Sequence, residues 1–240
     1  MSKSKGNVID PLPLLEKYGA DIFRFWDATE SSLGSDFRCS EIRIASAGKF
    51  LTKLWNISRF ISMFPVVKEA KLTDTDRWIL GELNKLIEEC KGGYEDFNFF
   101  IPANKIREFM WNIFADHYIE VIKKRAYGEG FTKEEKEAAW FTLHTCLEAV
   151  IELLAPIVPF MTDFVARQLY HKYSIHTEEF PEPKWENKLS KLTPKILEFN
   201  SIVWNKKKES GASLKDSIKM EIPKELKLFE KDLKAMHNLS

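Results

Sequence analysis

The run from Asn104 to Ala126 constrains this chain more than any other stretch. At 100° per residue it reads as one long helix with two apolar stripes. Ile106, Phe109, Met110, Ile113 and Val121 make one, and Trp111, Phe114, Tyr118 and Ile122 the other. A helix apolar on two sides needs neighbours on both, so it must sit inside a bundle. The remaining ridge carries Lys105, Glu108, Asn112, Asp116, Glu120 and Lys123, and the same geometry places Ile119 on it. Ile119 is then either a lone surface aliphatic or an apolar contact on a wet face.

Long helical patterns flank this run. Residues from about Ser40 to Met63 form one, and Lys49, Lys53, Asn56 and Phe60 share a stripe of it at i, i+4, i+7 and i+11. Two readings stand for that row. Either its cations and amide meet phosphate while Phe60 stacks an unpaired base, or Phe60 closes the core and the lysines are solvated. Thr73-Asp74-Thr75-Asp76 and Thr132-Lys133-Glu134-Glu135 read as capping boxes opening two more helices. The first of these is expected to run to about Tyr94, with Gly92-Gly93 ending it, and Pro156 and Pro159 to bend or interrupt the second. Two short helices are expected between Asp10 and Ser32, with Gly19 as the stop between them. Lys123-Lys124-Arg125 either offsets a helix dipole or contacts phosphate.

Beyond Ser174 the pattern changes. Pro181 and Pro183 mark an extended connector, and a helix is expected from Pro194 to about Lys208, with Gly211 as its break. Ile218, Met220 and Ile222 alternate as a strand does, and Pro223 opens a charged helix ending near His237. Lys206-Lys207-Lys208 reads as a solvated run. The fold class expected is therefore all-α: an antiparallel bundle of long helices with a small α/β C-terminal tail.

The 36 basic and 36 acidic residues cancel, so any nucleic-acid site must be a local patch. Cys39, Cys90 and Cys146 are too scattered for a disulfide framework or a zinc site, which fits a reducing, cytoplasmic setting. Cys90 reads as a small core residue and His144 as a core or boundary histidine rather than a base. No apolar run approaches the ~20 residues of a membrane span, so no membrane partner is expected. Gly128-Glu129-Gly130 is a turn and does not match a phosphate-cradling loop.

Met1 to Ser4, continued by Lys5-Gly6-Asn7-Val8-Ile9-Asp10-Pro11, resembles the end of the lysine-methionine-serine-lysine-serine loop of class I aminoacyl-tRNA synthetases. Glu16-Lys17-Tyr18-Gly19-Ala20-Asp21, Arg24-Phe25, Gly34-Ser35-Asp36-Phe37-Arg38, Lys53-Leu54-Trp55-Asn56 and Arg59-Phe60 continue the likeness. Later blocks, Trp111-Asn112, Phe114-Ala115-Asp116, Tyr118-Ile119-Glu120, Ala155-Pro156, Pro159-Phe160 and Ser174-Ile175-His176, resemble the valyl branch of the valine, isoleucine and leucine subgroup.

The resemblance implies three regions: a signature-loop remnant with a helical connector (1–38), an anticodon-binding bundle (39–173), and a connector with a small tail (174–240). It also implies site residues. Lys3, the catalytic signature-loop lysine, with Ser2 and Ser4, would face the phosphates of ATP in a whole enzyme that uses ATP and magnesium. Lys53, Phe60 and Ile119 match positions where anticodon bases are read, Lys49 and Asn56 would assist, and Arg43 neighbours a family arginine position. The partners implied are the anticodon stem-loop of tRNA and a catalytic domain in the same polypeptide. The nucleotide-binding fold and its histidine-glycine-histidine signature find no match here, so the chain alone is expected to bind no cofactor and to catalyse nothing. The rival readings are the equivalent part of an isoleucyl or leucyl enzyme, and a helical protein-interaction module without RNA binding.

Overall fold

Asp10 begins the first helix. In the computed structural model, which describes residues 9–239, its side chain accepts the Leu12 N–H at 3.0 Å, capping α1 (Pro11–Tyr18). Pro11 costs little there, since first-turn N–H groups have no helical partner. The stop at Gly19 holds as expected: its φ of +82° suits glycine alone among common residues. Next come α2 (Ala20–Glu30), α3 (Glu41–Ile61) and α4 (Asp74–Glu95). A continuous helical run follows, built of α5 (Phe100–Glu108), a π-helical stretch (Phe109–Ile119) and α6 (Glu120–Tyr127). After it stand α7 (Lys133–Leu154), α8 (Pro159–Tyr170), α9 (Thr193–Glu209) and α10 (Glu230–His237). Both expected capping boxes form, Thr73 with Asp76 and Thr132 with Glu135.

Short connections fold the long helices back on one another, so α4 lies against α5 and α7, and α6 against α7. One apolar cluster joins them, running from Phe25 in α2 through Trp78, Phe114 and Leu147 to Leu233 in α10. The all-α reading is right for the bundle. The strand expected at Ile218 to Ile222 does not form; among the described residues there is only one isolated parallel bridge, Ile218 to Leu239. Three alternating apolar residues need a partner strand to become a sheet, and the tail supplies helices instead.

The end of α4 falls at Glu95, one residue past the expected Tyr94, with Gly92-Gly93 inside its last turn. Gly93 is required by packing. A Cβ there would lie 2.7 Å from Pro102 Cδ, so α4 and α5 touch backbone to ring. Gly93→Ala is expected to cost about 1–3 kcal/mol through overpacking, despite the gain in helix propensity. Gly92→Ala, with nothing within 4 Å of its Cβ, is expected to be neutral or stabilising. Urea unfolding of the two variants checks the contrast.

The π-helical stretch explains a larger departure. Hydrogen bonding to the fifth residue back widens each turn beyond 3.6 residues, so each residue turns through less than 100°. Over 11 residues the lag rotates the far end of the run. Ile119, expected on the wet ridge, is instead buried at 6% exposure, and His117 is buried beside it. The rings of Phe109 and Phe114, five positions apart, stack with centroids 5.9 Å apart, as the wider turn allows. Helix α9 packs on this segment: His117 meets Asn200 at 3.0 Å and the Trp204 ring at 5.3 Å between centroids.

Two cations placed in solvated or capping roles are buried. Arg125, 1% exposed, meets Asp76 through two hydrogen bonds of 2.8 Å and Asp232 at 3.0 Å. Asp76 also accepts from Tyr118 at 2.8 Å, and Asp232 from Thr75 at 2.6 Å. Burial pushes the Asp76 carboxyl up, but Arg125 outweighs it and holds Asp76 below the usual range; in Asp232 burial prevails and the shift is upward. This cluster fastens α10 to α4 and α6. Lys207, from the run read as solvated, donates to the carbonyls of Leu214 (2.8 Å) and His237 (2.7 Å). Both corrections share a cause: the partners lie far away in sequence, where periodicity says nothing.

Candidate nucleic-acid interface

The α-periodicity of α3 holds, so its expected row stays on one face. Lys49 and Asn56 are exposed, while Lys53 and Phe60 are half-buried. Lys49 has no ion-pair partner among the described residues, whereas Lys53 is engaged twice. Its ammonium lies 2.7 Å from Asp116 Oδ1 and 4.3 Å from the centre of the Trp111 ring. Trp111 and Asp116 are five residues apart. In an α-helix they would point well away from each other, and the π-helical turn brings both to Lys53. The residues beside Lys53 were thus hidden from a reading at 100° per residue.

Phe60 sits about four helical turns from Ser46 along α3, in an aromatic group with Phe64 (5.2 Å, edge-on) and Tyr127 (6.4 Å). Tyr127 is 50% exposed, so the group keeps an open aromatic edge. Both readings of Phe60 are partly realised, since it leans on the core and still meets solvent. Arg43 is exposed and forms an ion pair with Glu30 of α2. Ile119, being buried, offers no surface to a base in this conformation; the π-helical rotation is the physical reason. Ser2, Lys3 and Ser4 lie outside the described residues. Among the described residues no group of three or more His, Cys, Asp or Glu is placed to hold a metal ion. None of their helices is long and apolar enough to cross a membrane.

The face therefore offers an ammonium, an amide, a tethered lysine over an indole and a half-open phenyl ring. Residues 76–222 match the family described as the anticodon-binding domain of tRNA ligase. The chain belongs to this family. Residues 1–40 also match the class I tRNA synthetase family of the I, L, M and V type. Among curated relatives, the valine--tRNA ligase of Pyrobaculum aerophilum is 44% identical over 247 residues, covering 100% of this chain and 31% of the relative. That of Aeropyrum pernix is 39% identical over 249 residues, covering 99% of this chain and 30% of the relative. The chain thus spans about a third of the length of these relatives. In structure it is similar to the LeuRS chain of an Agrobacterium radiobacter ternary complex with tRNA and LeuAMS. The TM-score is 0.59 at 18% identity, over 79% of this chain and 22% of that one, a likeness in fold. The anticodon-binding family thus takes in α4 to α9, and α3, which carries the row of Lys49 to Phe60, lies just ahead of the matched span.

Proposed function

We propose that this chain is the tRNA-binding part of a valine--tRNA ligase and that it engages the anticodon stem-loop. The observation that carries the reading is the α3 face of a chain in the anticodon-binding family. Exposed Lys49 and Asn56, Lys53 over Trp111, and half-open Phe60 combine charge, amide and ring as unpaired RNA requires. In this reading Lys49 contacts phosphate, Asn56 a base edge, and Phe60 and Tyr127 stack a base. Lys53 exchanges Asp116 for RNA, and Arg43 flanks the site. The whole protein would join valine to its tRNA using ATP and magnesium, with Ser2, Lys3 and Ser4 meeting the ATP phosphates beside a catalytic domain of the same polypeptide. We assign 1–38 to the connector, 39–173 to the anticodon-binding bundle and 174–240 to the tail, and the protein to the cytoplasm, which suits its free cysteines.

The test is a salt titration of binding to valine tRNA by wild type, Lys49→Ala and Phe60→Ala. Log affinity is expected to fall linearly with log salt. Lys49→Ala flattens the slope by about 0.7–0.9, the share of one phosphate contact. Phe60→Ala weakens binding by roughly 5- to 100-fold with the slope unchanged, since stacking releases no counterion. A salt-independent affinity, or one indifferent to both substitutions, contradicts the assignment.

A further inference from the structure

A cavity of about 510 Å³ opens between α3 and the junction of α5 with the π-helical stretch. Its walls are Ser46 from α3 and Asn104, Arg107, Glu108, Trp111 and Asn112 from the central helix. Trp111, with Lys53 seated over its ring at 4.3 Å, thus lines the cavity, while Lys53 does not. We propose that this cavity receives a single unpaired nucleobase bearing an exocyclic amine, stacked on Trp111 and held by Arg107, Glu108 and Asn112. The inference rests on the tRNA-binding reading and extends it to residues outside the α3 row.

Arg107 is exposed but aimed. It donates to Asn104 Oδ1 at 2.8 Å, and Asn104 is itself fixed by donating to the carbonyls of Phe100 (2.9 Å) and Thr29 (3.2 Å). Arg107 lines the cavity with guanidinium N–H groups left over from that bond, and such a fork suits a base edge or an adjoining phosphate. Asn112 is exposed and brings both a donor and an acceptor. Glu108 selects between ligands. Its carboxylate repels a bare phosphate in the cavity, yet it accepts from an amine of adenine, cytosine or guanine. Uracil lacks that amine. The volume lies in the ~300–1,000 Å³ range of small-ligand clefts, so a flat heterocycle with its sugar fits.

The test uses this chain with the valine tRNA anticodon stem-loop as fluorescent RNA, compared with the same RNA made abasic at each loop position in turn. Arg107→Gln, Asn112→Ala and Trp111→Phe are each expected to weaken binding of the intact loop by about 5- to 50-fold. At one abasic position all three substitutions lose their effect, because the base they hold is gone. Glu108→Ala also weakens binding to the intact loop. Strengthening instead would mean the cavity grips phosphate and would overturn the proposal. So would binding within twofold of wild type for Arg107→Gln and Asn112→Ala, both surface changes that leave the fold intact by circular dichroism. In those cases wild type still binds and the tRNA reading survives; if wild type itself does not bind the stem-loop, both fall.

Discussion

Asp76→Ala is expected to lower the unfolding free energy by about 3–5 kcal/mol, among the largest effects of any single substitution here. The carboxylate takes two hydrogen bonds from Arg125 and one from Tyr118, and serves Thr73 in the capping box. Removing it leaves a buried guanidinium with Asp232 at 3.0 Å as its one remaining carboxylate among the described residues and the Glu135 carbonyl at 3.3 Å. An uncompensated buried charge costs far more than the lost contact itself. For a chain of 240 residues this corresponds to a fall in Tm of roughly 6–20 °C, measurable by calorimetry. Glu120→Ala, which breaks only the exposed Lys123 pair, serves as control and is expected to change stability by no more than about 0.5 kcal/mol. Comparable losses for the two would contradict the reading of Arg125 as a charge kept in the core by its partners.

The second large effect is on pH. His237 Nε2 lies 2.8 Å from Asn200 Oδ1, an atom that only accepts, so Nε2 carries the proton. Asn200 in turn donates through Nδ2 to His117 Nδ1 at 3.0 Å, which must therefore be an unprotonated nitrogen. One amide thus bridges two neutral imidazoles, one in the π-helical stretch and one ending α10. Burial, then the charge of Lys207, then His117, push His237 down from 6.5 to about 4, and burial lowers His117 as well. The folded pKa lies below the unfolded one, so between these values the unfolded chain binds more protons. The stability is therefore fully present above pH 6.5 and is lost as pH falls toward 4, levelling off below it. At about 1.4 kcal/mol per unit, His237 accounts for about 3 kcal/mol of that loss. His144 also has a lowered pKa and adds to the loss in the same direction. Asp76 acts lower, since its depressed carboxyl gives stability that is lost only below its ordinary value of 3.8. Urea unfolding between pH 7 and pH 4 measures the slope, and hydrogen exchange over α9 and α10 locates it. His237→Gln, which keeps a donor but cannot titrate there, is expected to flatten the profile. A slope unchanged by that substitution would place the acid sensitivity elsewhere.

How much of this was readable in the sequence depends on where each signal sits. Asp10, Gly19, Thr73 and Thr132 announce helix ends through local chemistry, and each does in the structure what that chemistry requires. The row of Lys49, Lys53, Asn56 and Phe60 was legible because α3 keeps the 3.6-residue period. Ile119 was misplaced by the same arithmetic, because no local rule marks the change to π-helical turns at Phe109. The pairing of Trp111 with Asp116 around Lys53 was hidden for that reason as well. Arg125 and Lys207 sit in basic runs that look solvated, and their burial depends on Asp76, Asp232 and the carbonyl of His237, all distant in sequence. Gly93 carries a tertiary message, close contact with Pro102, in a residue that reads locally as a helix stop. The alternation of Ile218, Met220 and Ile222 was a real pattern without a partner strand to complete it.

The most direct measurement for the account as a whole is equilibrium binding of this chain to valine tRNA and to a transcript changed only in its three anticodon nucleotides, at moderate salt where backbone attraction is weakened. Reading of the anticodon predicts that the changed transcript binds at least about tenfold more weakly, the worth of one lost base contact or stack. Equal affinity for the two would mean that the chain holds tRNA by its backbone alone, and the assignment of the α3 face to base recognition would be wrong.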